Sequence, residues 1–398
     1  MAEVSGADWF AIEDNRQLPV YSRLPIALVR GEGSFVWDSE GRRYLDFYGG
    51  HCVTALGHCP PRVVTAIQEQ AAELLFYSNV VYSPVRAAAA DLLASLAPEG
   101  LRNVFFGNSG TEANETALKL ARTSTGRTGV IAMEGGFHGR TLGSIAATGI
   151  EKFRAPYRDV LPPAHFVPFG DADAVADVLV DDDDIAAVIL EPIQSMAGMT
   201  VAPDSYFVQL RRLCDQYGVK LIFDEVQTGV GRTGAFTFAQ RIGVTPDLIT
   251  LAKSLGSGVP VGAVLASDAI RETVQSGDQG TTFGGGMLAM AAVRSTLDEL
   301  VDGRWMDHVS DVYNRLEHEL SSEVVAIRGR GCLIGIELDF PASQAVALLR
   351  ERGVLSGSSS DPNTMRLMPP LNISDDEIDV FVDAFRAVLT EIRATTDA

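Results

Sequence analysis

Hydrophobic positions along the chain fall into short continuous runs separated by amphipathic stretches. The runs Gly129–Met133, Ile185–Leu190, Val219–Phe223, Leu248–Leu251 and Val261–Ala266 are apolar at nearly every position. A strand covered on both faces reads this way, so these runs predict buried parallel strands. Between and after them, apolar residues recur at helical spacing over Thr111–Thr123, Ser205–Tyr217 and Leu288–Leu300. Strands alternating with helices predict an α/β fold, a mostly parallel central sheet flanked by helices on both faces.

The pattern changes near Met306. From there it reads as a helix, a strand near Ile334–Leu338, and helices over Ala342–Arg352 and Asp375–Thr390, which together predict a smaller α+β domain. The N-terminal segment holds two strand-like pieces, Ser34–Trp37 and Tyr44–Phe47, around the turn Ser39-Glu40-Gly41. It is expected to join the C-terminal part rather than the large sheet. The expected division is therefore 1–56 with 304–398 in the small domain and 57–303 in the large one. The acidic run Asp181–Asp184 is expected to cap a turn ahead of a buried strand.

Composition supports a core of this size, with 46% hydrophobic residues in a chain of 398. The 52 acidic against 32 basic residues give a net charge of −20, and no run of five Lys or Arg occurs. Such a chain repels a polyanion, so nucleic acid is not expected as a partner. An anionic substrate then needs local arginines. The four cysteines are too scattered for a disulfide framework or a paired zinc site. The first residues lack the basic and apolar regions of a signal peptide. No apolar stretch reaches the roughly 18–20 residues of a membrane span. A cytoplasmic protein with reduced thiols, no membrane partner and no metal is expected.

Four segments carry candidate chemistry. In Asn108-Ser109-Gly110-Thr111-Glu112-Ala113-Asn114-Glu115 a glycine turn enters a helical stretch. Free N–H groups at that helix start, with Ser and Thr hydroxyls, make either an anion cradle or a plain helix cap. Phe223-Asp224-Glu225 ends a buried strand in two carboxylates, at the strand end where open α/β sheets bind ligands. There a carboxylate either pairs with a buried cation, such as a protonated pyridine nitrogen, or caps a helix. Leu251-Ala252-Lys253 ends another strand in a lysine. Burial would depress its charge and leave a nucleophilic amine able to condense with a carbonyl; the alternative is a snorkelling surface lysine. Gly135-Gly136-Phe137-His138-Gly139-Arg140-Thr141 places an aromatic ring and an arginine on a flexible loop, suited to stacking on a flat ring and clamping a carboxylate. His138 is either a general base or a packed, hydrogen-bonded histidine. The stretch Asn108–Glu115 is not the GxGxxG fingerprint, so dinucleotide binding is not favoured there.

Taken in order, NSGTEANE, GGFHGRT, DEVQTGVGRTG, PDLITLAKSLG and GTTFGG strongly resemble the class III aminotransferases, pyridoxal 5'-phosphate enzymes of fold type I. The resemblance runs from about Tyr21 to Leu371, and RGRGCLIGIEL and MRLMPPLNIS look most like the acetylornithine branch of that family. It implies that Lys253 holds the cofactor covalently and shuttles a proton, and that Asp224 keeps the pyridine nitrogen protonated. It implies that Gln227 bonds the ring hydroxyl, and that Phe137 and Val226 cover the two ring faces beside His138. Ser109, Gly110 and Thr111 would hold the phosphate, joined by Thr282 of a neighbouring subunit in a homodimer. Arg140, with Tyr21, would bind the carboxylate of an acylated ornithine, Thr281 would touch substrate, and Arg366 would bind the α-carboxylate of glutamate or 2-oxoglutarate. The implied reaction passes the terminal amine of N-acetylornithine to 2-oxoglutarate, in arginine or lysine biosynthesis. Ornithine, 4-aminobutyrate or broad ω-amine transamination is the alternative.

Three departures bear on the substrate. The family's EPIQGEGG or EPIQGEAG is Glu191-Pro192-Ile193-Gln194-Ser195-Met196-Ala197-Gly198 here. The glutamate that masks the glutamate-binding arginine is thus Met196, and Arg366 is expected to be unmasked. GGNPL is Gly284-Gly285-Gly286-Met287-Leu288. His51 stands where relatives carry Ile or Tyr near the pocket mouth, either touching the distal end of the substrate or simply packing.

Overall fold

The computed structural model describes residues 6–396. Its centre is a seven-stranded sheet in the order Asn103–Gly107, Gly262–Ala266, Leu248–Leu251, Lys220–Asp224, Ile185–Leu190, Gly129–Met133, Ala164–Val167. Every residue of Gly129–Met133, Ile185–Leu190 and Leu248–Leu251 is buried, as the continuous apolar runs require. Burial of each Ile, Leu or Val side chain contributes roughly 1.5–3 kcal/mol.

Gly262–Ala266 is antiparallel to both neighbours. The expectation of a parallel strand over Val261–Ala266 is therefore corrected. Only residues 252–261 separate it from Leu248–Leu251, with a single 3-10 turn between. A parallel connection takes a crossover of a dozen or more residues, so this shorter link turns the chain back. The two edge strands, Asn103–Gly107 and Ala164–Val167, escaped the hydrophobic pattern because each contains polar or half-buried positions.

Helix Gly110–Thr125 lies on one face of the sheet and buries Ala113, Ala117, Leu118 and Ala121 against it. Gly126 closes this helix in the left-handed conformation at φ 70°. Helix Asp204–Tyr217 covers the other face through Tyr206, Phe207 and Leu210. Asp184 answers for the acidic run: its carboxylate takes the Thr128 N–H and hydroxyl just ahead of Gly129–Met133.

A second layer unites the two ends of the chain. Strand Arg43–Asp46 pairs antiparallel with Phe35–Asp38 and parallel with Val354–Leu355. Ala326–Arg330, Leu333–Glu337, Thr364–Leu367 and Gly357–Ser358 form a four-stranded sheet. Helix Asp375–Thr396 sends Phe381 onto Phe47, with ring centroids 4.3 Å apart. That stack ties the N-terminal strands to the C-terminal helix.

Candidate active site

Six strands of the large sheet share one direction, and the carboxyl ends of five of them meet at one cleft of about 430 Å³. Asp224 ends one strand, Glu191 and Lys253 follow two others, and the Phe137 and Ser109 loops leave two more. The antiparallel strand starts at the same end with Gly262, where a Cβ would lie 2.1 Å from the Ser109 carbonyl oxygen. A side chain at 262 would thus push the Ser109 turn out of place.

Ser109 caps helix Gly110–Thr125, its hydroxyl accepting the Glu112 N–H at 3.3 Å and its carbonyl the Ala113 N–H. The first N–H groups of a helix have no partner inside it. Those of Gly110 and Thr111 therefore face the cleft that both residues line, with the positive end of the helix dipole behind them.

Asp224 is buried and held from three sides. Its Oδ2 accepts from Asn114 Nδ2 at 2.7 Å and lies 2.7 Å from His138 Nδ1, while Oδ1 accepts the Val226 N–H at 3.1 Å. Asn114 is fixed in turn by the Thr250 hydroxyl at 2.7 Å and by its own bond to the His138 carbonyl at 2.8 Å. A carboxylate so held stays oriented into the cleft.

Lys253 follows Leu248–Leu251 at φ 45°, in the left-handed region that non-glycine residues rarely adopt. Desolvation lowers its amine below the ordinary lysine range, against the opposing pull of Cys52, Asp224 and Glu191. Glu191 takes the Phe137 N–H at 2.8 Å and the Ser195 N–H at 3.4 Å. Burial first, and then the Asp224 charge, push its carboxyl up to about 7. Glu225, the second acid of the strand end, turns away from the cleft. It accepts the Phe238 N–H at 2.5 Å and the Ala239 N–H at 3.0 Å at the start of helix Phe238–Ile242. The helix-cap reading of the acid pair thus falls to Glu225.

A family model described as aminotransferase class-III matches residues 18–389. The chain belongs to the class III aminotransferases. An acetylornithine aminotransferase of Methanopyrus kandleri is 44% identical, over 94% of this chain and 98% of that protein. Among solved structures, an ornithine aminotransferase of Toxoplasma gondii superposes with a TM-score of 0.92 at 30% identity, covering 99% of this chain and 96% of that one; it is described with PLP at partial occupancy in its active site. An acetylornithine aminotransferase of Elizabethkingia anophelis gives a TM-score of 0.86 at 30% identity, over 98% of this chain and 100% of that one.

In this aminotransferase the cleft brings together Ser109, Gly110, Thr111, Phe137, His138, Arg140, Asp224, Val226, Gln227 and Lys253. Arg140 stacks its guanidinium 3.6 Å from the Phe153 ring centroid and forms no ion pair among the described residues. Arg366 is buried and lies off the cleft wall, behind Ser195 and Tyr48. It too has no carboxylate partner among the described residues, as the replacement of glutamate by Met196 led us to expect. His51 reaches Tyr48 Oη at 2.5 Å, and desolvation with the nearby Lys253 and Arg366 charges pushes its imidazole down to about 4.

Five expected residues lie off the cleft of their own chain: Arg366, His51, which lines a separate cavity with Tyr48 and Trp9, and Tyr21, Thr282 and Thr281. Tyr21 is 75% exposed in an extended segment, and Thr282 is exposed beside Phe283. Thr281 is taken up locally, its hydroxyl accepting from Asn108 Nδ2 and from the Gly284 N–H, each at 3.1 Å. Sequence reasoning missed Asn114, Glu191, Ser195 and Tyr48. Asn114 and Glu191 stood inside motifs already singled out, so only their partners were hidden. Tyr48 carried no signal, because strand Arg43–Asp46 gives no hint that it leads toward a site.

Proposed function

We propose that this protein is a pyridoxal 5'-phosphate-dependent transaminase that moves the terminal amino group of N-acetylornithine, or a similar acylated diamino acid, to 2-oxoglutarate. The donor set fits that cofactor. A helix N-terminus with inward N–H groups suits its phosphate, and an oriented buried carboxylate suits a protonated ring nitrogen. Phe137 and Val226 offer flat and apolar contacts to its ring, and Lys253 supplies a depressed amine for its aldehyde. When bound, the cofactor acts as the electron sink that lets an amino group leave one carbon and join another.

The chain's own residues divide the remaining work. The ammonium of Lys253, at the reacting end of the cleft, gives up its proton easily and can carry one between substrate carbon and solvent-shielded acceptor. Asp224 would hold a positive charge on the ring nitrogen, and Asn114 with His138 keeps Asp224 aimed. Gln227 offers an amide to the ring oxygen. Arg140, at the cleft wall, reaches the distal carboxylate of the acylated amino acid. Arg366, buried behind Ser195 and Tyr48, serves the α-carboxylate of glutamate or 2-oxoglutarate.

The observation that carries this reading is a pair of guanidinium groups without carboxylate partners among the described residues, Arg140 on the wall of the Lys253 cleft and Arg366 close enough for its charge to act on Lys253. One substrate presents its amine far from its carboxylate, the other next to it, and two arginines at different depths serve both. The 44% identity to an acetylornithine aminotransferase over nearly the whole chain supports the substrate class.

The same reading includes a homodimer. Phe283, 65% exposed, meets Phe76 at 5.2 Å beside the exposed run Leu74, Leu75 and Tyr77. An exposed apolar surface beside Thr282 supports that reading. Among the described residues no helix is long and apolar enough to cross a membrane.

The test is a half-reaction assay. The loaded enzyme is mixed separately with N-acetylornithine, ornithine, lysine, 4-aminobutyrate and glutamate, and the cofactor's visible absorbance is followed. N-acetylornithine is expected to react far faster than the other terminal amines. Faster reaction of free ornithine or 4-aminobutyrate would replace the substrate while leaving the reaction type. Light scattering of the purified protein at twice the chain mass supports the dimer; a monomeric, active enzyme refutes it.

A further inference from the structure

Ser195 joins two parts of the site that otherwise do not touch. Its hydroxyl donates to Gln227 Oε1 at 3.0 Å and accepts from Arg366 Nη1 at 3.0 Å. Its backbone N–H is held by Glu191, the carboxyl that also holds the Phe137 N–H. On the far side of the guanidinium, Arg366 Nη2 donates to Tyr48 Oη at 3.1 Å, and Nε to the Ser358 carbonyl at 2.6 Å. Ser195 is fully buried and Arg366 only 2% exposed, so water does not substitute for these bonds.

Two consequences follow from the inventory of donors and acceptors. Gln227 lines the cleft, and its carbonyl oxygen is committed to Ser195, so its NH₂ group is the end turned to the cleft. Arg366, for its part, has both terminal nitrogens bonded to neutral hydroxyls. A carboxylate that engages Arg366 in the bidentate manner takes the place of the Ser195 and Tyr48 hydroxyls. Ser195 then loses the charged donor that polarises its O–H, and its hold on Gln227 changes with it.

We propose that Ser195 is a positioning residue that couples carboxylate capture at Arg366 to the grip of Gln227 on the cofactor ring. The family's usual residue at this position has no hydroxyl, so the coupling belongs to this chain. The proposal rests on the transaminase reading above, and it adds a link between the acceptor pocket and the ring that the reading does not contain.

Two readouts test it, one of them without turnover. The first is the pH midpoint of the bound cofactor's visible absorbance in the absence of substrate. The Gln227 NH₂ stabilises negative charge on the ring oxygen, so loosening it raises that midpoint, by about half a unit or more in Ser195→Ala. The second is the apparent KM for 2-oxoglutarate. Removing the Ser195 acceptor leaves Arg366 Nη1 unpaired in the free enzyme, which favours carboxylate capture and lowers that KM about fivefold. The KM for N-acetylornithine, held at Arg140, is expected to stay the same. Ser195→Gly also lacks the hydroxyl and gives the same pair of shifts should the alanine variant fold poorly. Tyr48→Phe frees Nη2 but leaves Ser195 on Gln227, so it is expected to lower the 2-oxoglutarate KM without moving the absorbance midpoint. An unmoved midpoint in both Ser195 variants overturns the coupling, as does an equal change in KM for both substrates. A wild-type protein without visible cofactor absorbance overturns the transaminase reading and this one together.

Discussion

His138 Nδ1 lies 2.7 Å from Asp224 Oδ2, and the opposite ring nitrogen, Nε2, is buried without a partner among the described residues. The histidine is therefore turned toward the carboxylate, and its role is to orient and support Asp224. Asp224→Asn keeps the shape of this site and removes the charge. The expected result is a loss of about 10³-fold in kcat, the scale of removing one preorganised electrostatic partner. The fold, followed by circular dichroism, should be unchanged. A kcat within tenfold of wild type would remove Asp224 from the charge-holding role.

Arg140 stacks on Phe153 at 3.6 Å from the ring centroid and reaches toward Phe137 at 5.5 Å. Its planar fork is thereby held for a planar partner. Arg140→Ala should raise the KM for N-acetylornithine about 10–100-fold, the cost of a charge-assisted pair. Arg140→Lys should recover little of this, because the ammonium neither stacks nor offers two parallel donors. The rate with 1-aminobutane, which has no carboxylate, should not change; a parallel loss with that amine would mean Arg140 supports the cleft rather than the substrate.

Much of the large domain was legible because continuous apolar runs such as Ile185–Leu190 have one good solution, a strand covered on both faces. Asp224 and Lys253 were legible for the same reason: polar residues at the ends of such runs must sit at the sheet's carboxyl edge. The direction of Gly262–Ala266 was legible only in the short link after Leu251, since burial on both faces is the same for a parallel and an antiparallel strand. The position of Arg366 was not legible. It sits in a strand pair within a different sheet, and only the pairing of Thr364–Leu367 with Leu333–Glu337 and Gly357–Ser358 brings it beside Ser195. Contacts between residues 171 positions apart leave no mark on local pattern.

Met196 occupies the place where the resembling sequences carry a glutamate. Its carbonyl accepts from the Ser360 N–H and hydroxyl, both at 2.7 Å, so the backbone here is tied independently of the side chain. Met196→Glu should therefore fold normally and supply Arg366 with a carboxylate. Pairing the guanidinium in the free enzyme makes every incoming α-carboxylate compete for it. Rates with ordinary α-amino acids should fall more than the rate with N-acetylornithine. An unchanged donor range would show that Arg366 is not limiting in choosing the second substrate.

Glu225 gives stability a pH dependence whose sign is fixed by its environment. Burial, opposed by the Ala239 and Phe238 N–H groups and the Thr228 hydroxyl, pushes its carboxyl from 4.5 up to about 7. The folded protein thus binds a proton here more tightly than the unfolded chain. The stability this adds is full below about 4.5 and is lost as pH rises through about 7. Glu225→Gln stays neutral throughout. Its thermal midpoint, relative to wild type, should climb as the buffer goes from acid to pH 8. A constant difference across that window would place the Glu225 carboxyl in its ordinary range.

Self-repulsion sets the response to salt. The chain carries 52 acidic and 32 basic groups, and only four of the latter are lysines: Lys119, Lys152, Lys220 and Lys253. Several of its arginines are already shared among acids: Arg62 lies within 3.8 Å of Asp298, Glu299 and Asp302, and Arg315 bridges Asp375 and Asp379. Salt weakens these exposed pairs, each worth about 0–1 kcal/mol at most. It also screens the repulsion of a net charge of −20, and that gain is spread over the whole surface. The Debye length falls from about 10 Å at 0.1 M to about 3 Å at 1 M, shorter than most distances between surface acids. Repulsion outweighs the pairs, so the thermal midpoint should rise by several degrees between dilute buffer and about 1 M KCl. Sodium and potassium chloride should act alike, since screening does not distinguish them. A midpoint that falls with salt would mean that the arginine-bridged acid clusters, and not the net charge, govern the folded state.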